Sequence, residues 1–210
     1  MVRFYIDFDS TLFDTDKLKK ELNIQIAERL SEMKNLEKDF VIDEIQQLFL
    51  TKQAYSYFKL CDILEGKYSL ENGELKNLLK TILSDGEKFV FEDVLEFLKR
   101  LSQKQCEINI LTYTLKDEGF EYQMLKVLGS KLADFVDNII ICTKPKGELG
   151  LDYEHGYFLD DNPTQLLSLF KSGVSEDRLF RIKRKGTGYS ELKISEFQPR
   201  EFMDFNDIEI

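Results

Sequence analysis

Val2-Arg3-Phe4-Tyr5-Ile6-Asp7-Phe8-Asp9-Ser10-Thr11-Leu12 is the stretch on which the fold turns. It begins as an apolar run rich in β-branched and aromatic residues, the composition of a buried strand. It ends on two carboxylates, Asp7 and Asp9, separated by one residue. A carboxylate pair at the end of a buried strand is costly unless a cation or hydrogen-bond donors neutralise it, so the pair points to a metal or phosphate site. The hydroxyls of Ser10 and Thr11 and the amides of the turn that must follow are suitable donors to an anion. An ordinary strand end with Asp residues capping a turn accounts for the same stretch, and the rest of the chain has to separate the two.

Downstream of Leu12 the apolar period changes from strand to helix. Leu18, Leu22, Ile26, Leu30 and Met33 predict a helix over about 16–34, with Asp14 or Thr15 as its cap. A second helix is expected over about 43–65, stopped by Gly66, and a third over 74–84 before Gly86. With no strand pattern among them, these make a helical unit of about seventy residues. Helix and strand then alternate: a helix over 91–103, the strand 108–112, a helix near 118–128, the strand 138–142, the strand 157–161, a helix opened by Pro163, and the strand 178–182. Short apolar strands separated by helices imply a three-layer α/β fold, with a mainly parallel, doubly wound, Rossmann-like sheet. The expected division is a core of residues 1–12 and 88–210 with a helical cap domain at 13–87.

In such a sheet ligands bind at the carboxyl ends of the strands. Those ends carry Asp7 and Asp9, then Thr112, then Lys144 or Lys146 beyond Cys142, then Asp160 and Asp161. A strand-end Thr or a lone Lys is commonly a turn residue or a solvated charge. Their joint appearance on one sheet edge is the informative feature.

Asp7-Phe8-Asp9-Ser10-Thr11-Leu12, the strand ending at Thr112, the following lysine and Leu159-Asp160-Asp161-Asn162-Pro163 resemble the four motifs of the haloacid dehalogenase-like (HAD) hydrolase superfamily. The helical insertion resembles the cap of members with a helical cap between the first and second motifs. The resemblance implies a Mg2+-dependent phosphatase. Asp7 attacks phosphorus to form an aspartyl-phosphate, and Asp9 protonates the leaving oxygen and then activates water. Thr112 and the lysine hold the phosphoryl oxygens. Asp7, Asp9 through its carbonyl, Asp160 and Asp161 surround the metal. Lys144, which precedes Pro145 and lies sixteen positions before Asp160, is favoured over Lys146. Which of Asp160 and Asp161 contacts the metal directly stays open. Asp9 argues against carbon–halogen cleavage, since dehalogenases of this superfamily carry another residue there. A phosphomutase or phosphotransferase would use the same intermediate, and a non-catalytic binding or regulatory module would keep the same fold.

Composition limits the partners. With 210 residues and a formal net charge of −10 the chain can bury a large core, and its acidity disfavours nucleic acid or an anionic membrane as a partner. A small phosphorylated substrate is expected. Cys61, Cys106 and Cys142 are scattered, without metal-type pairing, and fit a reducing, cytoplasmic setting. No leader and no membrane-length apolar run are visible. The aromatics Phe13, Phe49, Tyr55, Tyr57, Phe58 and Tyr68 are expected in the core of the helical unit. Arg181, Lys183, Arg184 and Lys185 are expected as a solvated basic turn, His155 as exposed, and the tail after Pro199 as docked or frayed.

Overall fold

The computed structural model describes residues 1–115, 118–193 and 195–209. Its centre is a six-stranded sheet in which every paired neighbour runs parallel. The strands are β1 (Arg3–Ile6), β2 (Glu107–Tyr113), β3 (Asn138–Cys142), β4 (Gly156–Asp160), β5 (Leu179–Ile182) and β6 (Arg200–Phe202), in the spatial order β3-β2-β1-β4-β5-β6. Successive strands move outward from β1 to β3, and the chain then returns to lay β4 on the other side of β1. The order therefore reverses between β1 and β4, the crevice where doubly wound sheets bind ligands. Side chains alternate across this sheet. Phe4 and Ile6 join one hydrophobic cluster with Ile108, Ile110 and Ile182, while Tyr5 faces the other with Leu111, Phe158 and Leu179.

Four helices lie between β1 and the rest of the sheet: α1 (Thr15–Lys34), α2 (Lys38–Leu50), α3 (Tyr57–Lys67) and α4 (Glu74–Ser84). Asp14 caps α1 by accepting the amide of Lys17 at 2.9 Å. The single helix expected over 43–65 is in fact two. Lys52 takes a left-handed conformation with φ 57°, and Ser56 caps α3 through the amide of Lys59. The helical period runs on across this break, which is why the apolar pattern hides it; Ser56 is the local signal. The buried carboxylate of Glu65 on α3 accepts the amides of Gly73, Leu75 and Lys76 at 2.9, 2.7 and 3.2 Å, satisfying the first turn of α4.

The remaining helices are α5 (Val94–Gln103), α6 (Glu118–Gly129) and α7 (Pro163–Lys171). Helix α5 starts later than the expected 91, because Phe91 pairs its amide with the carbonyl of Leu12. Helix α6 touches α4 at Gly129, where a Cβ would lie 1.7 Å from the Leu83 carbonyl oxygen, so only glycine allows this approach. Helix α7 is capped by Asn162 with Pro163 in its first turn, as its sequence predicts.

Two expectations about the C-terminal part need correction. The strand at 179–182 is not the last, since 200–202 adds β6 and Phe205 is buried, stacked on Phe97 at 4.4 Å. Nor is the whole basic cluster a solvated turn: Lys185 is exposed and Lys183 partly so, but the two arginines are not. Arg181 is buried and binds Glu201 and the carbonyls of Tyr189 and Leu192, while Arg184 is buried and donates to the Thr11 carbonyl and, bidentately, to Asp93 at 2.8 and 2.9 Å. Both guanidinium groups tie loops to the sheet edge, a use that the planar five-donor fork suits. His155 is exposed, as expected. Among the described residues no helix is long and apolar enough to cross a membrane.

Candidate active site

Parallel pairing brings the site together. The amide of Asp7 donates to the Leu159 carbonyl at 2.8 Å, continuing the β1–β4 ladder by one residue, so Asp7 and Asp160 leave their strands side by side at the reversal of strand order. After Asp9 the chain turns sharply through Ser10, which has φ 58°, and its amide donates to the Phe13 carbonyl. A non-glycine residue held in that region stores strain, and such strain concentrates at functional turns. The Thr11 hydroxyl is buried and accepts the amide of Asp161, so it braces the turn instead of facing an anion as expected from sequence.

The two carboxylates of the opening stretch occupy different environments. Asp7 is buried, and its Oδ1 receives Lys146 Nζ at 2.5 Å; the same Nζ donates to Asp160 Oδ2 at 2.6 Å. The structure thus brings Lys146 to the acids, and Lys144, the residue favoured from spacing, is exposed. The reason is local. Beyond Cys142 the chain crosses the sheet edge through an extended Pro145 and then tucks a short 3₁₀ turn, Lys146–Glu148, against α7. The Lys146 amide donates to Gln165 and its carbonyl accepts from Tyr153, while Gly147 lies so close to α7 that a Cβ would fall 2.1 Å from the Ser168 carbonyl oxygen.

Asp9 is held by a different set of groups. Its Oδ2 accepts Gln123 Nε2 at 2.6 Å, and its Oδ1 accepts both Lys126 Nζ and the Thr15 hydroxyl. Gln123 Nε2 also donates to Thr112 Oγ1 at 2.7 Å, which links Asp9 to the buried Thr112 at the end of β2. Lys126 is itself buried, with its ammonium 5.2 Å from the centre of the Tyr122 ring. Thr15 was expected from sequence only as a cap of α1, and Gln123 and Lys126 were not singled out. A signal existed for two of them: Gln123, Lys126 and Val127 are the buried positions of α6 among its described side chains, and polar residues at such positions need a reason to be there.

Electrostatics follows this division. Burial pushes the Asp7 carboxyl up to about 7, with Asp160 and Asp9 adding to the rise and Lys146 opposing it. Burial, together with Asp7 and Asp160, pushes Asp161 up to about 9. Burial also acts against the Lys146 ammonium, but Asp160 and Asp7 outweigh it and keep the lysine charged. For Asp9 burial is outweighed by Lys126, Thr15 and Gln123, which hold the carboxyl below its ordinary value.

Among the described residues, Asp7, Asp160 and Asp161 have carboxylate oxygens within 4.8 Å of one another, close enough to share one ion. The Asp9 side chain lies outside this group. Both oxygens of Asp160 already accept donors, Lys146 Nζ and the Asn162 amide, whereas the buried Oδ2 of Asp161 has no partner. An orphaned buried carboxylate oxygen beside two further acids fits a hard, oxygen-seeking cation.

That excess of acid predicts a pH dependence. Asp7 and Asp161 bind protons more tightly in the folded chain than in the unfolded chain, where a carboxyl titrates near 3.8. Their contribution favours the fold most below that value and is lost as pH rises through about 7 for Asp7 and about 9 for Asp161. The melting temperature in EDTA should therefore fall from about pH 5 to about pH 9, and Mg2+ should flatten the slope by taking the protons' place. A melting temperature that rises over this range in EDTA would contradict the assignment.

Over Asp7 and Asp9 lies a cavity of about 610 Å³ whose walls include Thr112, Gln123, Lys126, Asp160 and Asp161. Opposite, the ends of α2 and α3 close it with Phe49, Tyr55 and Tyr57.

No family model matches the chain, and no curated protein matches it. Solved structures do. A HAD phosphatase from Thermococcus onnurineus superposes with TM-score 0.67 at 18% identity, over 98% of this chain and 95% of that one. A protein described as a HAD hydrolase from Bacillus subtilis, crystallised with magnesium, gives TM-score 0.60 at 16% identity, covering 98% and 96% of the two chains. A protein described as a β-phosphoglucomutase from Thermotoga maritima gives 0.56 at 18% identity, covering 93% and 89%. The chain has the fold of the haloacid dehalogenase-like hydrolases. Identities this low carry the fold and leave the chemistry to the site.

Proposed function

We propose that this chain of haloacid dehalogenase-like fold is a Mg2+-dependent phosphatase acting on a small phosphate monoester. The observation that carries the reading is the separation of the two carboxylates: Asp7 among Lys146, Asp160 and Asp161, and Asp9 among Lys126, Gln123 and Thr15. Neighbouring acids held in contrasting environments can take different roles.

In this reading Asp7 is the nucleophile, its carboxylate attacking phosphorus while the bond to the leaving oxygen breaks. Lys146 neutralises Asp7 and orients it, and Thr112, at the end of the neighbouring strand, receives a phosphoryl oxygen. Asp7, Asp161 and the Asp160 edge would hold the Mg2+. When bound, the ion offsets the negative charge that keeps a phosphate away from a carboxylate. The leaving oxygen takes its proton from the hydrogen-bonded Asp9–Lys126 pair. A water then attacks the aspartyl-phosphate, returns a proton to that pair and releases inorganic phosphate with Asp7 restored.

Hydrolysis of p-nitrophenyl phosphate by purified protein, dependent on Mg2+ and abolished by EDTA, is the direct test, and absence of turnover across aryl, sugar and nucleoside phosphates sinks the reading. The role of Asp9 is tested by leaving-group dependence. Asp9→Asn should slow single-turnover cleavage of alkyl phosphates by roughly a hundred- to ten-thousand-fold and of aryl phosphates far less, because an aryloxide departs with little protonation. Lys126→Met should shift the same ratio in the same direction. Equal losses on both substrates would remove the Asp9–Lys126 pair as the proton donor.

A further inference from the structure

The cavity is larger than a phosphoryl group requires, and much of its lining is built from rings. Phe49, Tyr55, Tyr57, Tyr113, Tyr122 and Tyr189 line a volume of about 610 Å³. They come from the α2–α3 break, the end of β2, α6 and the segment after β5, so no single helical stripe accounts for them.

Their surroundings divide them into two groups. Tyr57 and Tyr122 belong to the frame: their rings stack with centroids 6.1 Å apart, the Tyr57 hydroxyl donates to Asn23 Oδ1 at 2.8 Å, and the Tyr122 face carries the Lys126 ammonium. Tyr55 and Tyr189 are 57% and 40% exposed, at the cavity and not in the core. Phe49 and Tyr113 are half-buried and also line it. Two of the polar side chains lining the cavity are already committed, Asn162 to capping α7 and Gln165 to the Lys146 amide. A second hollow of about 430 Å³ shares Phe49, Tyr57 and Lys19 with the first.

Resting on the phosphatase reading above, we propose that the substrate's leaving group carries a planar π system, an aromatic ring or a nucleobase, that packs against Tyr55 and Tyr189. Such a group offers ring faces to the tyrosines and needs few of the directed hydrogen bonds that a polyol requires on burial. A sugar or glycerol phosphate would place several hydroxyls against ring surfaces. A volume of about 610 Å³ has room for a ring joined directly to the ester oxygen or for one separated from it by a pentose.

The test compares kcat/KM with Mg2+ for two aryl phosphates, p-nitrophenyl phosphate and phosphotyrosine, two nucleoside 5′-monophosphates, AMP and UMP, and two aliphatic esters, glucose 6-phosphate and glycerol phosphate. The preferred aromatic arm should exceed the aliphatic arm by at least about tenfold, and Tyr55→Leu together with Tyr189→Leu should reduce that preference roughly tenfold, mainly through KM. Whether the aryl or the nucleoside arm leads identifies where the ring sits. Equal or better use of the aliphatic esters, or a preference untouched by both tyrosine variants, overturns the proposal. To separate its failure from failure of the phosphatase reading, binding of AMP, phosphotyrosine and glucose 6-phosphate to the Asp7→Asn protein is measured by calorimetry. A tyrosine-dependent preference for an aromatic ligand sustains the proposal even where no ester is hydrolysed, and no preference ends it.

Discussion

Asp7→Asn is expected to lower turnover of any phosphate monoester by at least about a thousandfold, the scale of loss when a nucleophile is removed, and to leave the fold intact. Asparagine keeps an oxygen that can accept from Lys146, whose Nζ lies 2.5 Å from Asp7 Oδ1, and it removes one of three clustered negative charges. In EDTA the variant should melt at or above the wild-type temperature at pH 8, because a carboxyl that burial has raised to about 7 is ionised there against its neighbours. The stabilisation that Mg2+ confers should shrink with the lost ligand. Acid-quenched single turnovers provide the direct readout: wild type should retain phosphate covalently on the protein, and Asp7→Asn should retain none. A variant that keeps a tenth or so of wild-type turnover would strip Asp7 of the nucleophile's role.

Lys146→Met has the second large effect, and it falls on stability as well as rate. The ammonium is almost fully buried between Asp7 and Asp160, and its loss leaves Asp7, Asp160 and Asp161 without a cation. Removing one member of a buried ion pair costs about 3–5 kcal/mol, which for a chain of this size lowers the melting temperature by roughly 10 °C. The cost should be smaller at pH 5 than at pH 8, since the stranded carboxyls can take up protons, and Mg2+ should return part of it. Lys144→Met, at an exposed position, should change neither stability nor rate. This pair of variants decides between the two lysines, and equal behaviour of both would undo the placement of Lys146.

What could be read without coordinates was whatever depends on short-range pattern. The strand ending in Asp7, the alternation that makes a parallel sheet, the cap of α7 and the delivery of Thr112, Asp160 and Asp161 to one edge all follow from periodicity and strand ends. The choice of lysine did not, because Lys144 and Lys146 differ by two positions in a connection whose path is set by the packing of Gly147 on α7. The break between α2 and α3 was hidden for a related reason: the apolar stripe continues across it, and only the conformation of Lys52 and the cap at Ser56 redirect the chain. The partners of Asp9 were least accessible, since Gln123 and Lys126 lie more than a hundred positions downstream and meet it only through tertiary packing. Arg181 and Arg184 show the opposite error, in which a run of charge suggests solvent while the fold uses guanidinium groups as internal struts.

The close approach at Gly129 bears on how the helices above the sheet can move. Helix α4 rests its Leu83 carbonyl on that glycine, at the end of the same helix that carries Gln123 and Lys126 to Asp9. A side chain at position 129 would act as a wedge between α4 and α6, on the helix whose Gln123 and Lys126 hold the Asp9 carboxylate. The seating of α4 on α6, and with it the grip on Asp9, thus depends on a side chain that is not there.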